Sequence, residues 1–424
     1  MKYRFEGQGV VSLPGSKSFA IRSLIISSFL NQPLLLKNFP KCNDTLTLIS
    51  ALKALGFLFS FPKDSELLVT PPHTINLSPK IEIVDSAAAL RFLLFRLSGI
   101  KEMQAEISLS PQLKKRPIEP LFDIIRSLGG IIEWSGETII VKGTTPLTLT
   151  AKTKSLLTQY QQISSQFLSG LLLSSPLLQN DELSLTIPPS QVSLPYLDIS
   201  LAIMRDFGLL YKREGDTLTL DKNVRVYKSP KVYTIEPDYS SACYFWALGA
   251  LSANYVGVEV NKYCSVQGDF QFLSILEEMG AEVEYADGFI SVKSGELKGI
   301  KRSMSDMPDQ VPTLAVLALF AESTTQLYNI DFLRFKESDR IDSIIKGLSK
   351  LSPKSNYSKG VLTIYPLEKR PSKTTLNCYQ DHRLVMAFSI LSSIFPEVRI
   401  DDSSAVAKSF PNFFLELSKL TLLS

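Results

Sequence analysis

The stretch RFKESDRID (334–342) concentrates charge, with Lys336 and Arg340 four residues apart and Glu337 and Asp339 between them. On one helix the two cations would share a face and repel by a few tenths of a kcal/mol. Two chemistries fit. The plain one is a solvated helix start, with Glu337 and Asp339 near the positive end of the dipole. The sharper one has Lys336 and Arg340 holding an anion while Glu337 carries a proton. Similar polar clusters recur: Gly-Ser-Lys-Ser (15–18) with Arg22, Ser164-Ser165-Gln166, and Asp381-His382-Arg383. Taken singly, each reads as ordinary structure: a surface arginine, a helix start, a capping aspartate beside solvated cations.

Composition limits the partners. A net charge of +3 over 424 residues gives no reason to expect a nucleic-acid polyanion or an anionic membrane, so any anion recognition must be local. The four cysteines are scattered without C-x-x-C spacing and read as free thiols of a reducing compartment. With only His73 and His382, a histidine-based metal site is not expected. The opening MKYRFEGQGVV has no apolar core and reads as no signal peptide. ACYFWALGALSANYVGVEV (242–260) is the one membrane candidate, but its polar residues and β-branched tail favour a buried helix running into a strand. The expectation is a cytoplasmic monomer.

The elements that must position these clusters repeat. ALKALGFLFSFPKDSELLVT (51–70), IIRSLGGIIEWSGETIIVKG (124–143), LAIMRDFGLLYKREGDTLTL (201–220) and LSILEEMGAEVEYADGFISV (273–292) share one plan, and 344–364 is a worn fifth copy. Each predicts an amphipathic helix, closed by glycine at 56, 129, 208 and 280, then two short strands. The spacing is too long for a solenoid. It implies α/β units with sheet on one side and helix on the other, in two similar halves that break near KVYTIEPDYSSA (231–242).

VSLPGSKSFAIRSLIISSFL (11–30), a strand, a Pro-Gly turn and then Ser16, Lys17, Ser18 and Arg22 opening a helix, resembles the enolpyruvyl transferases. The resemblance continues in order through KKRPIEPLFDIIRSLG (114–129), ISSQFLSGLLLSSPL (163–177), VSLPYLDISLAIMRDFG (192–208), EPDYSSACYF (236–245) and VQGDFQFLSILEEMGA (266–281). MPDQVPTLAVLALFA (307–321), FKESDR (335–340), QDHRLVMAFSIL (380–391) and AKSFPNFF (407–414) complete it. It implies an α/β (α+β) fold, a two-domain inverse α/β barrel in which each domain has three βαβαββ units around buried helices. The domains would be 1–13 with 236–424, and 14–235, with the active site in the interdomain cleft.

The activity implied is that of the shikimate branch of the family: transfer of the enolpyruvyl group of phosphoenolpyruvate to the 5-hydroxyl of shikimate 3-phosphate, releasing phosphate, with neither metal nor organic cofactor. The family's pattern places Lys17, Ser18, Arg22, Ser164, Ser165, Gln166, Ser193, Tyr196, Asp309 and Lys336 on shikimate 3-phosphate. It places Lys17, Ala87, Arg116, Gln166, Arg340, Arg383 and Lys408 on phosphoenolpyruvate. Asp309, kept ionised by flanking cations, Glu337 and Lys17 would be catalytic. Arginine suits such anions because its planar fork grips a carboxylate or phosphate with two parallel hydrogen bonds.

Departures from that pattern bear on affinity. The family's Asn-Ala-Gly-Thr-Ala-Met-Arg loop is DSAAALR (85–91) here, which keeps Arg91 but puts Ala87 for glycine and Ala88 for threonine. The inhibitor glyphosate occupies that pocket in the family and reaches toward the glycine. Ile21 and Leu194 stand where Asn and Lys are frequent, and Phe332 replaces an Asn that some members use. Two alternatives remain at this level. One is the cell-wall relative acting on UDP-N-acetylglucosamine, whose usual reactive cysteine has no counterpart in LSPQLKKRP (109–117). The other is a paralogue that binds anions without catalysis.

Overall fold

Each of the five stretches singled out above folds as a helix followed by an antiparallel hairpin in the computed structural model, which describes residues 4–188 and 190–420. Helix Glu119–Ser127 with strands Ile131–Ser135 and Thr138–Lys142 is typical. The closing glycines take left-handed backbone, with φ of +100° at Gly56, +97° at Gly129, +77° at Gly208 and +105° at Gly280. At Gly280 an added Cβ would also meet the Glu296 carbonyl oxygen at 2.4 Å, so the turn admits no side chain. Residues 1–3 of the opening segment and 421–424 of the expected first domain lie outside the described residues.

The chain forms two compact units, one built from residues up to Pro14 and from Pro237 onward, the other from Gly15–Glu236. In the second unit strands run Lys80–Ile83, Gln104–Leu109, Thr138–Lys142, Ile131–Ser135 across one sheet; the first pair is parallel and the others antiparallel. Lys301–Ser303, Thr325–Tyr328, Val361–Ile364 and Asn356–Ser358 repeat that order in the first unit. In two further sheets the parallel strand comes from far along the chain: Gly9–Val11 beside Val256–Glu259, and Val232–Thr234 beside Leu34–Lys37. The unit that follows the fifth copy is reduced. Thr374–Leu376 pairs in parallel with Val398–Ile400, and among the described residues no hairpin follows, only a 3-10 turn, Ser404–Lys408, and helix Phe413–Lys419.

Sheet and amphipathic helices surround central helices that are apolar on nearly every side. In one unit helix Tyr239–Ala250 packs against Val311–Ala318 and His382–Ile394; in the other Lys17–Ser27, Ala87–Ser98 and Gln166–Leu173 pack together. All residues of Tyr239–Ala250 and of Val311–Ala318 are buried. A helix that is hydrophobic all round must be buried, which accounts for the membrane-like run at 242–260: it is this helix followed by strand Val256–Glu259. No helix among the described residues is long and apolar enough to cross a membrane. Burial leaves such helices only their ends for chemistry.

Candidate active site

Those ends carry the polar residues. In the Gly15–Glu236 unit, Lys17, Ala87 and Gln166 each stand first in a central helix. The free N–H groups and positive dipole of a helix start favour anions. Lys17 Nζ lies 2.9 Å from Asp44 Oδ2, with both side chains largely buried. Arg22 is 3% exposed. It donates from Nε to Ser200 Oγ at 2.7 Å, from Nη1 to the Ser18 carbonyl at 2.9 Å and from Nη2 to the Tyr196 carbonyl at 2.9 Å. Burial pulls its pKa down to about 10, which still leaves it charged at neutral pH. Arg22 therefore fixes the helix carrying Lys17 and Ser18 against helix Pro195–Asp206, which carries Tyr196.

Arg91 does the same for the neighbouring cluster. Its Nη1 donates to Ser164 Oγ at 3.2 Å and Gln166 Oε1 at 2.7 Å, and its Nη2 to the Pro117 carbonyl at 3.2 Å. It thus ties the Ser-Ser-Gln segment to the loop bearing half-buried Arg116. Ser165 occupies the N-cap position of helix Gln166–Leu173 and is buried. Ser193 is buried with φ +57°, a conformation that non-glycine residues seldom adopt without cause. Ala87 is 5% exposed.

In the other unit three carboxylates converge on one guanidinium. Arg340, its side chain 1% exposed, donates from Nη1 to Asp309 Oδ1 at 2.7 Å and from Nη2 to Glu337 Oε2 at 2.8 Å. Asp381 takes the remaining edge, accepting from Nε at 2.8 Å and from Nη2 at 3.3 Å. Arg383 Nη2 donates to the second oxygen of Asp309 at 2.9 Å, and its Nη1 to the Tyr244 hydroxyl at 3.3 Å. Lys408 Nζ lies 3.8 Å from Glu337 Oε1. Burial works against the Asp309 charge, but Arg383 and Arg340, then Lys336, outweigh it and hold the carboxyl well below its usual range. Flanking cations do keep Asp309 ionised, as the sequence reading anticipates.

The shared helical face of Lys336 and Arg340 is not what forms. Asp339 caps a helix that begins at Arg340, its side chain accepting from Asp342 N at 3.1 Å, so Lys336 lies outside the helix in extended backbone. Lys336 Nζ instead sits 5.7 Å from the centre of the Phe332 ring. The plain reading is therefore right for Asp339, while Arg340 turns inward among carboxylates. Asp381 likewise both caps and pairs: its Oδ1 accepts from Arg383 N at 2.9 Å while Oδ2 holds Arg340 and, at 3.1 Å, Ser338 Oγ.

Sequence reasoning missed Asp44 and Ser200, and read Asp381 as a helix cap without its pairing to Arg340. Each is an acid or hydroxyl far along the chain from the cation it orients, and no local spacing marks it. Among the described residues no group of His, Cys, Asp and Glu is placed to hold a metal ion.

Among solved structures the fold matches an EPSP synthase of Acinetobacter baumannii with a TM-score of 0.74 at 24% identity, covering 99% of this chain and 98% of that one. The enolpyruvyl transferase NikO of Streptomyces tendae matches with a TM-score of 0.71 at 15% identity, covering 99% and 95%. The fold is that of the enolpyruvyl transferases. The profile of the EPSP synthase (3-phosphoshikimate 1-carboxyvinyltransferase) family matches residues 5–417. The 3-phosphoshikimate 1-carboxyvinyltransferase of Haemophilus influenzae is 34% identical over 424 residues, 98% of this chain and 97% of that protein. Its counterpart in Actinobacillus pleuropneumoniae is 32% identical over 423 residues, 98% and 96%. The chain belongs to the EPSP synthase family.

Proposed function

We propose that the protein transfers the enolpyruvyl group of phosphoenolpyruvate to the 5-hydroxyl of shikimate 3-phosphate and releases phosphate, a step toward aromatic amino acids. The observation that carries this reading is the largely buried set Asp309, Glu337, Arg340, Arg383 and Lys408, in which two carboxylates share cations suited to an incoming anion. Lys17, Ser18, Arg22, Ser164, Ser165, Gln166, Ser193, Tyr196 and Lys336 engage shikimate 3-phosphate, and Arg116, Arg340, Arg383 and Lys408, with the helix start at Ala87, engage phosphoenolpyruvate.

Addition forms a bond from the 5-hydroxyl oxygen to the central carbon of phosphoenolpyruvate and delivers a proton to its methylene carbon. Elimination removes a proton from that carbon and expels phosphate. A carboxylate stabilised by two arginines is a weak base at rest, so Asp309 first accepts a hydrogen bond from the 5-hydroxyl and takes its proton as the new C–O bond makes that oxygen acidic; this proton leaves with the expelled phosphate. Glu337 carries the carbon proton. Its oxygens face Arg340 Nη2 and Lys408 Nζ, the same donors an incoming carboxylate takes, so substrate binding frees Glu337 from both cations to exchange that proton. Lys17 offsets the charge that develops. The protein acts as a monomer in the cytoplasm, in keeping with its unpaired cysteines.

A phosphate-release assay with both substrates tests the proposal. Release that requires shikimate 3-phosphate supports it. Release only with UDP-N-acetylglucosamine reassigns the acceptor, and no release with either acceptor reduces the site to anion binding.

A further inference from the structure

The sheet that holds strands Gly9–Val11, Val256–Glu259 and Phe289–Lys293 buries Val256, Val258, Ile290 and Val292 on the side of helix Tyr239–Ala250. On its other face lies a cavity of about 700 Å³, within the range of small-molecule sites. Gly257 and Ser291, directly paired across the strands, line it. A Cβ on Gly257 would come within 3.0 Å of Val10 Cγ2 and 3.4 Å of Phe289 Cδ2, so the missing side chain keeps the floor open. Ser291 is 2% exposed, and among the described residues its hydroxyl has no hydrogen-bond partner. A buried hydroxyl left unmet costs stability that a bound group would restore.

The rest of the lining has a definite chemistry. Phe289 and Tyr255 contribute rings, and Lys293 and Lys419 contribute ammonium groups. Lys293 Nζ stands 5.4 Å from the centre of the Tyr255 ring and only loosely, at 3.7 Å, from Glu282. Lys419 pairs with Glu416 at 2.6 Å. With one carboxylate beside each ammonium the surroundings are close to neutral, which suits one negative charge better than a phosphate dianion. None of these residues belongs to the transfer site.

We propose that this cavity binds a small aromatic carboxylate, its ring against Phe289 and Tyr255, its charge at Lys293 and Lys419, and a ring substituent meeting the Ser291 hydroxyl. The probe is 4-fluorobenzoate observed by fluorine NMR, with 4-fluorobenzyl alcohol as its uncharged counterpart. Saturable broadening of the acid, absent for the alcohol, is expected. Phosphoenolpyruvate with shikimate 3-phosphate should not relieve it. Lys293→Gln with Lys419→Gln, two solvent-accessible changes that leave the fold intact, should weaken binding roughly tenfold or more, as for a lost hydrogen bond to a charged group. Ser291→Val should do likewise by filling the floor, with enolpyruvyl transfer unchanged. No broadening, equal broadening of the alcohol, displacement by the substrates, or unchanged affinity in the double lysine variant would each overturn the proposal.

Discussion

Arg340 and Asp381 meet side-on, Nε to Oδ2 at 2.8 Å and Nη2 to Oδ1 at 3.3 Å, with side chains 1% and 0% exposed. This pair leaves the outer edge of the guanidinium to Asp309 and Glu337. Asp381→Ala takes one of three carboxylates from a buried cation, and breaking a buried pair costs up to about 3–5 kcal/mol. Asp381→Asn keeps an acceptor and should cost less. Denaturant unfolding of the three proteins measures the difference. A loss below about 1 kcal/mol for the alanine variant, the scale of an exposed ion pair, would mean that Asp381 does not anchor Arg340.

Glu337→Gln should leave the binding of both substrates nearly intact and reduce turnover by roughly two or more orders of magnitude, as for a lost acid–base group. Steady-state kinetics with each substrate varied gives both numbers. Near-normal turnover in the glutamine variant would show that another group moves the carbon proton.

Lys408→Ala should raise the KM for phosphoenolpyruvate more than it lowers kcat, because Lys408 faces Glu337 with a cation that a substrate carboxylate would take over. A change confined to kcat would move Lys408 from binding to the chemical step.

Asp269 supplies a pH signature for the unit that holds Arg340. Burial, and then the Asp309 charge, push its pKa from 3.8 up to about 6. The folded state therefore holds this proton more tightly than the unfolded chain does. Asp269 contributes stability below about pH 4 and loses it as pH rises to about 6, a change on the order of 3 kcal/mol. Asp309, with its pKa depressed, acts in the opposite sense: its contribution is present above the unfolded value and lost on acidification. Melting curves of the natural protein and of Asp269→Asn across that interval isolate the first effect. The natural protein should fall relative to the variant as pH rises, and parallel curves would exclude a raised Asp269.

Ala87 begins helix Ala87–Ser98 and is 5% exposed, so its methyl group is packed where the family carries glycine. Overpacking typically costs about 1–3 kcal/mol, and glyphosate, which the resemblance places further toward this position than phosphoenolpyruvate, should bear more of it. Weak inhibition by glyphosate and a raised KM for phosphoenolpyruvate are expected. Ala87→Gly should tighten inhibition by roughly tenfold, since about 1.4 kcal/mol is one decade. Inhibition constants against phosphoenolpyruvate decide it: tight inhibition of the natural sequence, or no gain in the glycine variant, would place the DSAAALR loop away from the inhibitor.

Helix, left-handed glycine and hairpin were legible in the sequence because they depend on neighbours a few residues apart. Apolar residues recur every three to four positions, and Gly56, Gly129, Gly208 and Gly280 stand where the backbone needs a positive φ. The residue types of the site were legible too, through motifs such as Gly-Ser-Lys-Ser and Asp-His-Arg. The partners of those residues were not. Helical spacing pairs Lys336 with Arg340, but Asp339 caps the helix between them and Arg340 turns to Asp309 and Asp381, 31 and 41 positions away. Lys17 meets Asp44, 27 positions on, and Arg22 meets Ser200, 178 positions on. Local periodicity determines which elements form. Only the packing of buried helices, which brings their starts together and leaves charges there no solvent to turn to, decides which cation answers which carboxylate.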